Sequence, residues 1–313
     1  MTIQLTTIES TSSKTSAQQR AEERVTDAVI GIDLTLLGAP SGESLSAWGA
    51  DLPVEHINFP RLASCVSASS SGGIDIVTLS RSFRTRSDGR GGRMDGVRTA
   101  ARLAERGVGP IGVEVPADPT AIEEALGELA AVGQGASTLE ISVDGTTDLA
   151  ALAAPLERAR SAGLRIMIRV AVRDLTDLDL AELVEYADSI RLLTNDPHES
   201  REARFALRSA AHAQGRSLPV FVEIGIIISG NISAANERAL LVEAIQGSPV
   251  FAGKAHVVGT VYDVADAAES WIGLGAADGI IFLPASVPTD LASVIRGVLP
   301  LLRARGGEID DVE

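Results

Sequence analysis

The sequence predicts a single (β/α)8 TIM barrel, and three observations carry that expectation. Short β-branched runs alternate with helical runs about eight times along the chain. The 313 residues leave room for eight such units over roughly 280 positions, the usual size of this barrel. The turn after the first strand, Leu36-Leu-Gly-Ala-Pro-Ser-Gly42, lacks the Gly-x-Gly-x-x-Gly spacing that the competing open, doubly wound sheet would show. Regular β-then-α alternation implies parallel strands joined by right-handed crossovers.

Element by element, Ala28-Val-Ile-Gly-Ile-Asp-Leu34 reads as the first strand, followed by a long loop carrying Pro40, Trp48 and Pro53. A helix from about Asn58 to Ser69 leads to the strand Ile74-Asp-Ile-Val-Thr-Leu79. Met94 to Arg106 is helical and Ile111 to Val115 extended. Pro119 sits at the first turn of a helix running to Val132, ahead of the strand Thr138 to Val143. Leu149 to Ala162 is a helix with Gly163 as its C-cap, and Leu164 to Val170 is a strand. The helix Leu178 to Ala187 precedes the strand Ile190 to Thr194, and Glu199 to Gln214 precedes Pro219 to Ile228. Helices over Ala234 to Ile245 and Val261 to Trp271 come before the last strand, Ile280 to Leu283, and a closing helix from Leu291 to Arg305. The barrel domain is thus expected over 28–306. A polar tail (1–27), helical from Ala17 to Arg24, precedes it, and an acidic tail (307–313) follows.

Composition narrows the functional classes. A net charge of −15 disfavours a phosphate-backbone partner, which most of this surface would repel. One cysteine, Cys65, excludes an internal disulfide and a cysteine metal cluster, and four scattered histidines give no zinc-like pair. No apolar run approaches the ~20 residues of a membrane span, and Met1 to Asp27 has no apolar signal core. A cytoplasmic protein that engages neither nucleic acid nor membrane is the expectation.

Active sites of such barrels lie where the strands end at their C-termini. Those positions here are Thr35, Ser80 to Ser82, Pro116, Asp144 to Thr146, Ala171 to Asp174, Thr194 to Asp196, Ser229 to Asn231 and Pro284 to Ser286. They are polar but offer no evident neutral-pH base. Asp144, Asp174 and Asp196 read as helix N-caps rather than catalytic acids. Glu223, inside an apolar strand, reads as paired with Arg169 or Arg191, because an unpaired buried charge costs too much. The loop Ser80 to Arg93 carries Arg81, Arg84, Arg86, Arg90 and Arg93; it is either an anion clamp or a Gly-rich loop kept soluble by charge. Gly259 and Thr260 open a helix, as an anion site or as a plain N-cap. Trp48 could cover a planar ligand or staple its loop to the rim.

Several motifs point to a family. Val258-Gly-Thr-Val-Tyr-Asp-Val-Ala-Asp266 resembles a Gly-Thr-Pro-x-x-Val-Ala-Asp segment, and Trp271 to Pro284 resembles W-x-x-x-G-A-A-D-G-F-x-x-x-P. Tyr186 to Ile190, the helix Arg201 to Arg216, and Ile74 to Phe83 with Arg93-Met-Asp95 add weaker matches. Together they resemble the flavin-dependent luciferase-like monooxygenases, and within them the nitrilotriacetate and alkanesulfonate monooxygenase clade. The resemblance implies an FMN- or F420-dependent oxidoreductase or monooxygenase of an unknown small molecule, paired as a homodimer or with a related barrel. It places the cofactor over the C-terminal mouth, near Ser80, Ser82, Arg84, Arg86, Gly259 and Thr260, with no metal. The sequence departs from the family at the fourth strand, Ala136 to Val143, which lacks the usual Trp and Asn. It departs again at Val170-Ala-Val-Arg-Asp174, which lacks the glycines of the phosphate turn. Only about twenty residues separate Val143 from Leu164, so the usual insertion is reduced. The alternative is a non-catalytic barrel that has lost flavin binding and serves as a binding or partner subunit. A lyase or isomerase using the arginine loop lacks a base.

Overall fold

The computed structural model describes residues 28–34, 59–83, 85–86, 93–130, 136–246, 249, 251–287 and 289–307. Strand β1 (Val29–Asp33) leads to helix α1 (Phe59–Ser71), β2 (Ile76–Leu79) and a short hairpin of β3 (Thr85–Arg86) against β4 (Arg93–Met94). Then come α2 (Gly96–Glu105), β5 (Ile111–Pro116), α3 (Pro119–Ala130), β6 (Ala136–Val143), α4 (Leu149–Ser161) and β7 (Arg165–Ala171). A 3-10 turn (Val172–Asp177) precedes α5 (Leu180–Tyr186), β8 (Ser189–Leu193), α6 (Pro197–Ala213), β9 (Val220–Ile228) and α7 (Ile232–Gln246). After β10 (His256–Gly259), α8 (Val261–Gly273) and β11 (Gly279–Pro284), helix α9 (Thr289–Ser293) passes through a π-helical turn (Val294–Val298) into α10 (Leu299–Gly307). The tails expected at 1–27 and beyond Gly307, and the loop with Trp48, lie outside the described residues.

Eight strands close a ring in the order β1, β2, β5, β6, β7, β8, β9, β11, and every pairing round it is parallel. This is the predicted (β/α)8 TIM barrel. Two features depart from the sequence reading: the β3–β4 hairpin, whose Met94 the sequence places at the start of a helix, and the stretch before the helix that Gly259 and Thr260 open, where the sequence predicts no strand. His256 to Gly259 instead form β10, which pairs with Gly225 to Ile228 of β9. That edge of β9 is vacant because β8 pairs only with Val220 to Val222. The Ala255 N–H donates to the Thr194 carbonyl at 3.3 Å, so β10 continues the line of β8. Four residues are too short a run for period-two alternation to show.

Strand alternation sorts the side chains. On β9, Val220, Val222, Ile224, Ile226 and Ile228 face the helices and belong to the main apolar core. Phe221, Glu223, Gly225 and Ile227, at the alternate positions, face the lumen. Each outward Val or Ile contributes about 1.5–3 kcal/mol through burial. At the floor of the lumen Met167, Phe221 and Ile281 pack together with Val29 and Ile76.

A repeated device fixes the N-terminal ends of the strands. Asp75, Asp188 and Asp278 each lie just before a strand, and each carboxylate reaches across to a neighbouring strand. Asp75 Oδ2 accepts from Ile30 N–H (2.8 Å), Asp188 Oδ2 from Ile166 N–H (2.8 Å) and Asp278 Oδ2 from Val220 N–H (2.9 Å). Arg204 and Arg208 both bind the other oxygen of Asp278. Gly279, next to it, lies so close to β1 that a Cβ there would overlap the Val29 carbonyl. The Gly-Ala-Ala-Asp-Gly turn is therefore the seam where the last strand meets the first. Asp278→Ala should destabilise the protein by about 2 kcal/mol, more than Asp75→Ala, because it also strands two arginines; urea unfolding of the two variants checks the order.

Candidate functional site

Above the apolar floor the lumen is charged. Inward positions of the strands carry Asp33 (β1), Thr78 (β2), Glu114 (β5), Glu140 and Ser142 (β6), Arg169 (β7), Arg191 (β8) and Glu223 (β9). Arg191 is the hub, with 1% of its side chain exposed. Its Nη2 donates to Asp33 Oδ2 at 2.8 Å and to Glu223 Oε2 at 2.6 Å. Its Nη1 donates to Glu140 at 3.1 and 3.3 Å and to the Thr78 hydroxyl at 3.3 Å. Arg169 stands one strand away, with Nη2 donating to Glu223 Oε2 at 3.1 Å and its guanidinium 3.7 Å from both Glu140 and Glu114. The expectation that Glu223 pairs with Arg169 or Arg191 is met by both.

The mouth is built on this layer. Phe251 to Lys254 form a turn whose Lys254 Nζ reaches Glu223 Oε1 at 2.5 Å. The buried Phe251 ring lies against Gly225, where a Cβ would collide with it, and packs with Ile227 and Leu283. On the far side, Ser142 Oγ donates to Glu114 Oε1, and the Arg81 N–H donates to Glu114 Oε2 at 2.9 Å. A cleft of about 790 Å³ opens beside this carboxylate, between the start of α2 and the face of α3, with Arg81, Asp95, Arg98 and Glu124 on its walls.

Electrostatics follow from the packing. Burial pushes Glu223 up, but Arg191, Arg169 and Lys254 outweigh it and hold its carboxyl well below the usual range. Burial lowers Arg191, yet Glu140, Glu223 and Asp33 keep it well above its ordinary value. Glu140 goes the other way. Burial raises it to about 7, with the nearby Asp33 and Glu114 carboxylates adding to the rise and Arg191 and Arg169 only partly offsetting it.

The residues expected to hold a cofactor fall at the C-terminal rim in two places. Ser80 and Ser82 follow β2, their hydroxyls 2.9 Å apart. Arg86 joins the backbone of the β3–β4 hairpin, whereas Arg84 and Arg90 lie outside the described residues. Gly259 and Thr260 end β10, separated from β2 by β9, β11 and β1 in the strand order. The start of α8 is closed by its own capping box. Asp263 Oδ2 accepts from the Thr260 N–H and hydroxyl, both at 2.7 Å, and the Thr260 hydroxyl accepts from the Asp263 N–H. A Cβ at Gly259 would strike that same carboxylate. Gly259 and Thr260 thus sit in N-cap geometry, apart from the serines.

The three aspartates read as N-caps differ. Asp196 caps α6, accepting from His198 N–H at 2.7 Å. Asp144 instead accepts from Thr146 N–H and both threonine hydroxyls in a tight turn, which holds its carboxyl below the usual range, while Asp148 caps α4. Asp174 lies inside the 3-10 turn after β7, beside Arg173. That turn covers Val172 to Asp174, the stretch that the resemblance sets against a glycine-rich turn.

Sequence reasoning did not single out Asp33, Glu114, Glu140, Ser142, Phe251 or Lys254. The first three carried a signal, since each is a charge at an inward position of a strand. Arg191→Met should cost about 3–5 kcal/mol, the effect of removing one partner from a buried ionic group, whereas Arg208→Met at the surface should cost under about 1 kcal/mol. Chemical denaturation of both variants measures the contrast.

No family model matches the sequence, and no curated protein does. Solved structures share its fold. EDTA monooxygenase from Chelativorans sp. BNC1 has a TM-score of 0.62 at 14% identity, covering 90% of this chain and 94% of that one. Riboflavin lyase, solved with modified FMN and its substrate riboflavin, gives 0.61 at 15% identity over 90% and 92%. An F420-dependent secondary alcohol dehydrogenase holding an F420-acetone adduct gives 0.56 at 7% identity over 88% and 99%. At these identities the likeness establishes that the chain folds as the same (β/α)8 barrel that serves flavin- and F420-dependent enzymes.

Proposed function

We propose that the chain is an oxidoreductase that works with FMN or F420 on a small molecule, the cofactor lying over the C-terminal mouth. The observation that carries this reading is the whole-length likeness to barrels solved with FMN or F420, spanning 90% and 88% of the chain. The rim after β2 offers polar groups to an anionic cofactor: the Ser80 and Ser82 hydroxyls share a hydrogen bond at 2.9 Å, with Arg81 between them in the chain. A bound flavin or deazaflavin would supply the electron chemistry. The protein's part would be to bind and orient it at Ser80 and Ser82 above the ionic layer that Arg191 holds together. Arg84 and Arg86 enter the same proposal from their places in the sequence alone. Pairing with a second barrel, as homodimer or heterodimer, is part of this reading, and light scattering in solution measures it.

A specific observation favours a second reading, a barrel without cofactor that serves as a partner or binding subunit. Phe251 and Lys254 fill the upper lumen on the β9 side, and a 3-10 turn covers the stretch that the resemblance sets against a phosphate turn. Titration of the purified protein with FMN and with F420, followed by their visible spectra, separates the two. Saturable binding is expected, weakened about tenfold in the Ser80→Ala/Ser82→Ala variant, equivalent to about 1.4 kcal/mol. No perturbation of either spectrum would reject the first reading in favour of the second.

A further inference from the structure

The lumen layer crowds carboxylates together. Among the described residues Asp33, Glu114, Glu140 and Glu223 meet three cations, Arg169, Arg191 and Lys254. Two of the acids, Glu114 and Glu140, are register partners on adjacent strands, the arrangement in which like charges repel most. Glu114, Glu140 and Glu223 are all buried, so water does not screen their repulsion. One carboxylate of such a buried pair takes up a proton instead.

We propose that the ionic layer of this barrel holds one exchangeable proton, resident on Glu140, which is exchanged with solvent past Glu114 and Ser142 at the mouth. The partition among the acids follows from their neighbours. Glu223 faces Arg191, Arg169 and Lys254 and stays ionised. Glu140 shares Arg191 with Asp33 and Glu223, and has Arg169 only at 3.7 Å. It faces Asp33 from β1, Glu114 from β5, Arg169 from β7 and Arg191 from β8, while β2 contributes only the uncharged Thr78. Burial and the two carboxylates place its titration near neutral pH. Glu114, across from it in register, meets the half-buried Ser142 and the cleft, and so connects the layer to solvent. The proton belongs to the cluster, so its midpoint responds to every member. The inference is independent of any cofactor.

The sign of the pH effect is fixed. The folded state keeps a proton that the unfolded chain has released above its ordinary carboxylate range. Stability from this group is therefore complete below about pH 4.5 and is lost as pH rises to about 7. Glu223, shifted downward, adds a loss only on the acid side of 4.5. Asp290, raised by burial, also contributes to the wild-type slope, so the comparison with Glu140→Gln is what isolates the layer.

Two measurements on the full chain test the proposal. Infrared difference spectra between pH 5.5 and 8.5 should show a protonated carboxylic acid that disappears as pH rises, and Glu140→Gln should lack it. Over the same range the wild-type Tm should fall more steeply than that of Glu140→Gln. Asp33→Asn removes one acid, and should lower the infrared midpoint by on the order of one pH unit. A wild-type spectrum without a titrating carboxylic acid overturns the proposal whether or not any variant folds. An unchanged band in Glu140→Gln, or a midpoint that does not fall in Asp33→Asn, overturns it as well.

Discussion

Arg191 is the constraint on which the rest of the barrel depends. One planar guanidinium ties β8 to β1, β2, β6 and β9 across the lumen, four strands that no short stretch of chain brings together. A hydrophobic layer at this height could be as stable, since removing charges from water is costly and a well-packed apolar replacement often recovers that cost. What the ionic layer adds is geometry. Arg donors lie in a fixed plane, and Asp33, Glu140 and Glu223 must all approach that plane, so strand tilt and stagger around the ring are specified together. A neighbouring register would bring Ile190 or Leu192 into the lumen and leave the acids without a partner.

The two ends of the barrel are built by different rules. At the N-terminal end, three aspartates cap the first N–H groups of adjacent strands, each a local solution to an otherwise unpaired donor. They fasten β1 to β2, β7 to β8 and β9 to β11. At the C-terminal end the strands finish among serines, threonines and carboxylates whose hydrogen bonds face one another or solvent. Stability is concentrated below and adaptable polar groups above, the division expected of a barrel whose ligands approach from the top.

The fold was legible because its signals are local. Outward strand positions are almost wholly Val, Ile and Leu, and Asp or Thr caps with glycine stops delimit helices in ways that a short window reveals. The same logic made Glu223 readable, since one charge in Val220 to Ile228 demands a partner and only a few arginines lie on other strands. The site was less legible for a physical reason. Which acids share Arg191 depends on how the closed ring staggers its strands, and Asp33 and Arg191 are brought together over 158 positions of sequence. β10 escaped notice because its identity as a strand comes from a vacant edge of β9, a property of the neighbour rather than of His256 to Gly259.

That vacant edge also determines the shape of the mouth. β10 can join β9 only beyond Val222, where β8 has stopped pairing, and this sets the preceding turn directly over the lumen. Gly225 lacks a side chain at the one inward position where the Phe251 ring arrives, so ring and strand make contact that any larger residue would prevent. Lys254, three residues on, is then within reach of Glu223, and the layer acquires its third cation from the rim rather than from a strand. The upper lumen is divided as a result. Its β9 and β11 side is filled by Phe251, Ile227 and Leu283, while its β5 and β6 side keeps Glu114 and Ser142 beside a cleft. A ligand entering from the top would meet an apolar wall on one side and a hydrogen-bonding carboxylate on the other, with the charge of the floor beneath it set by a single proton.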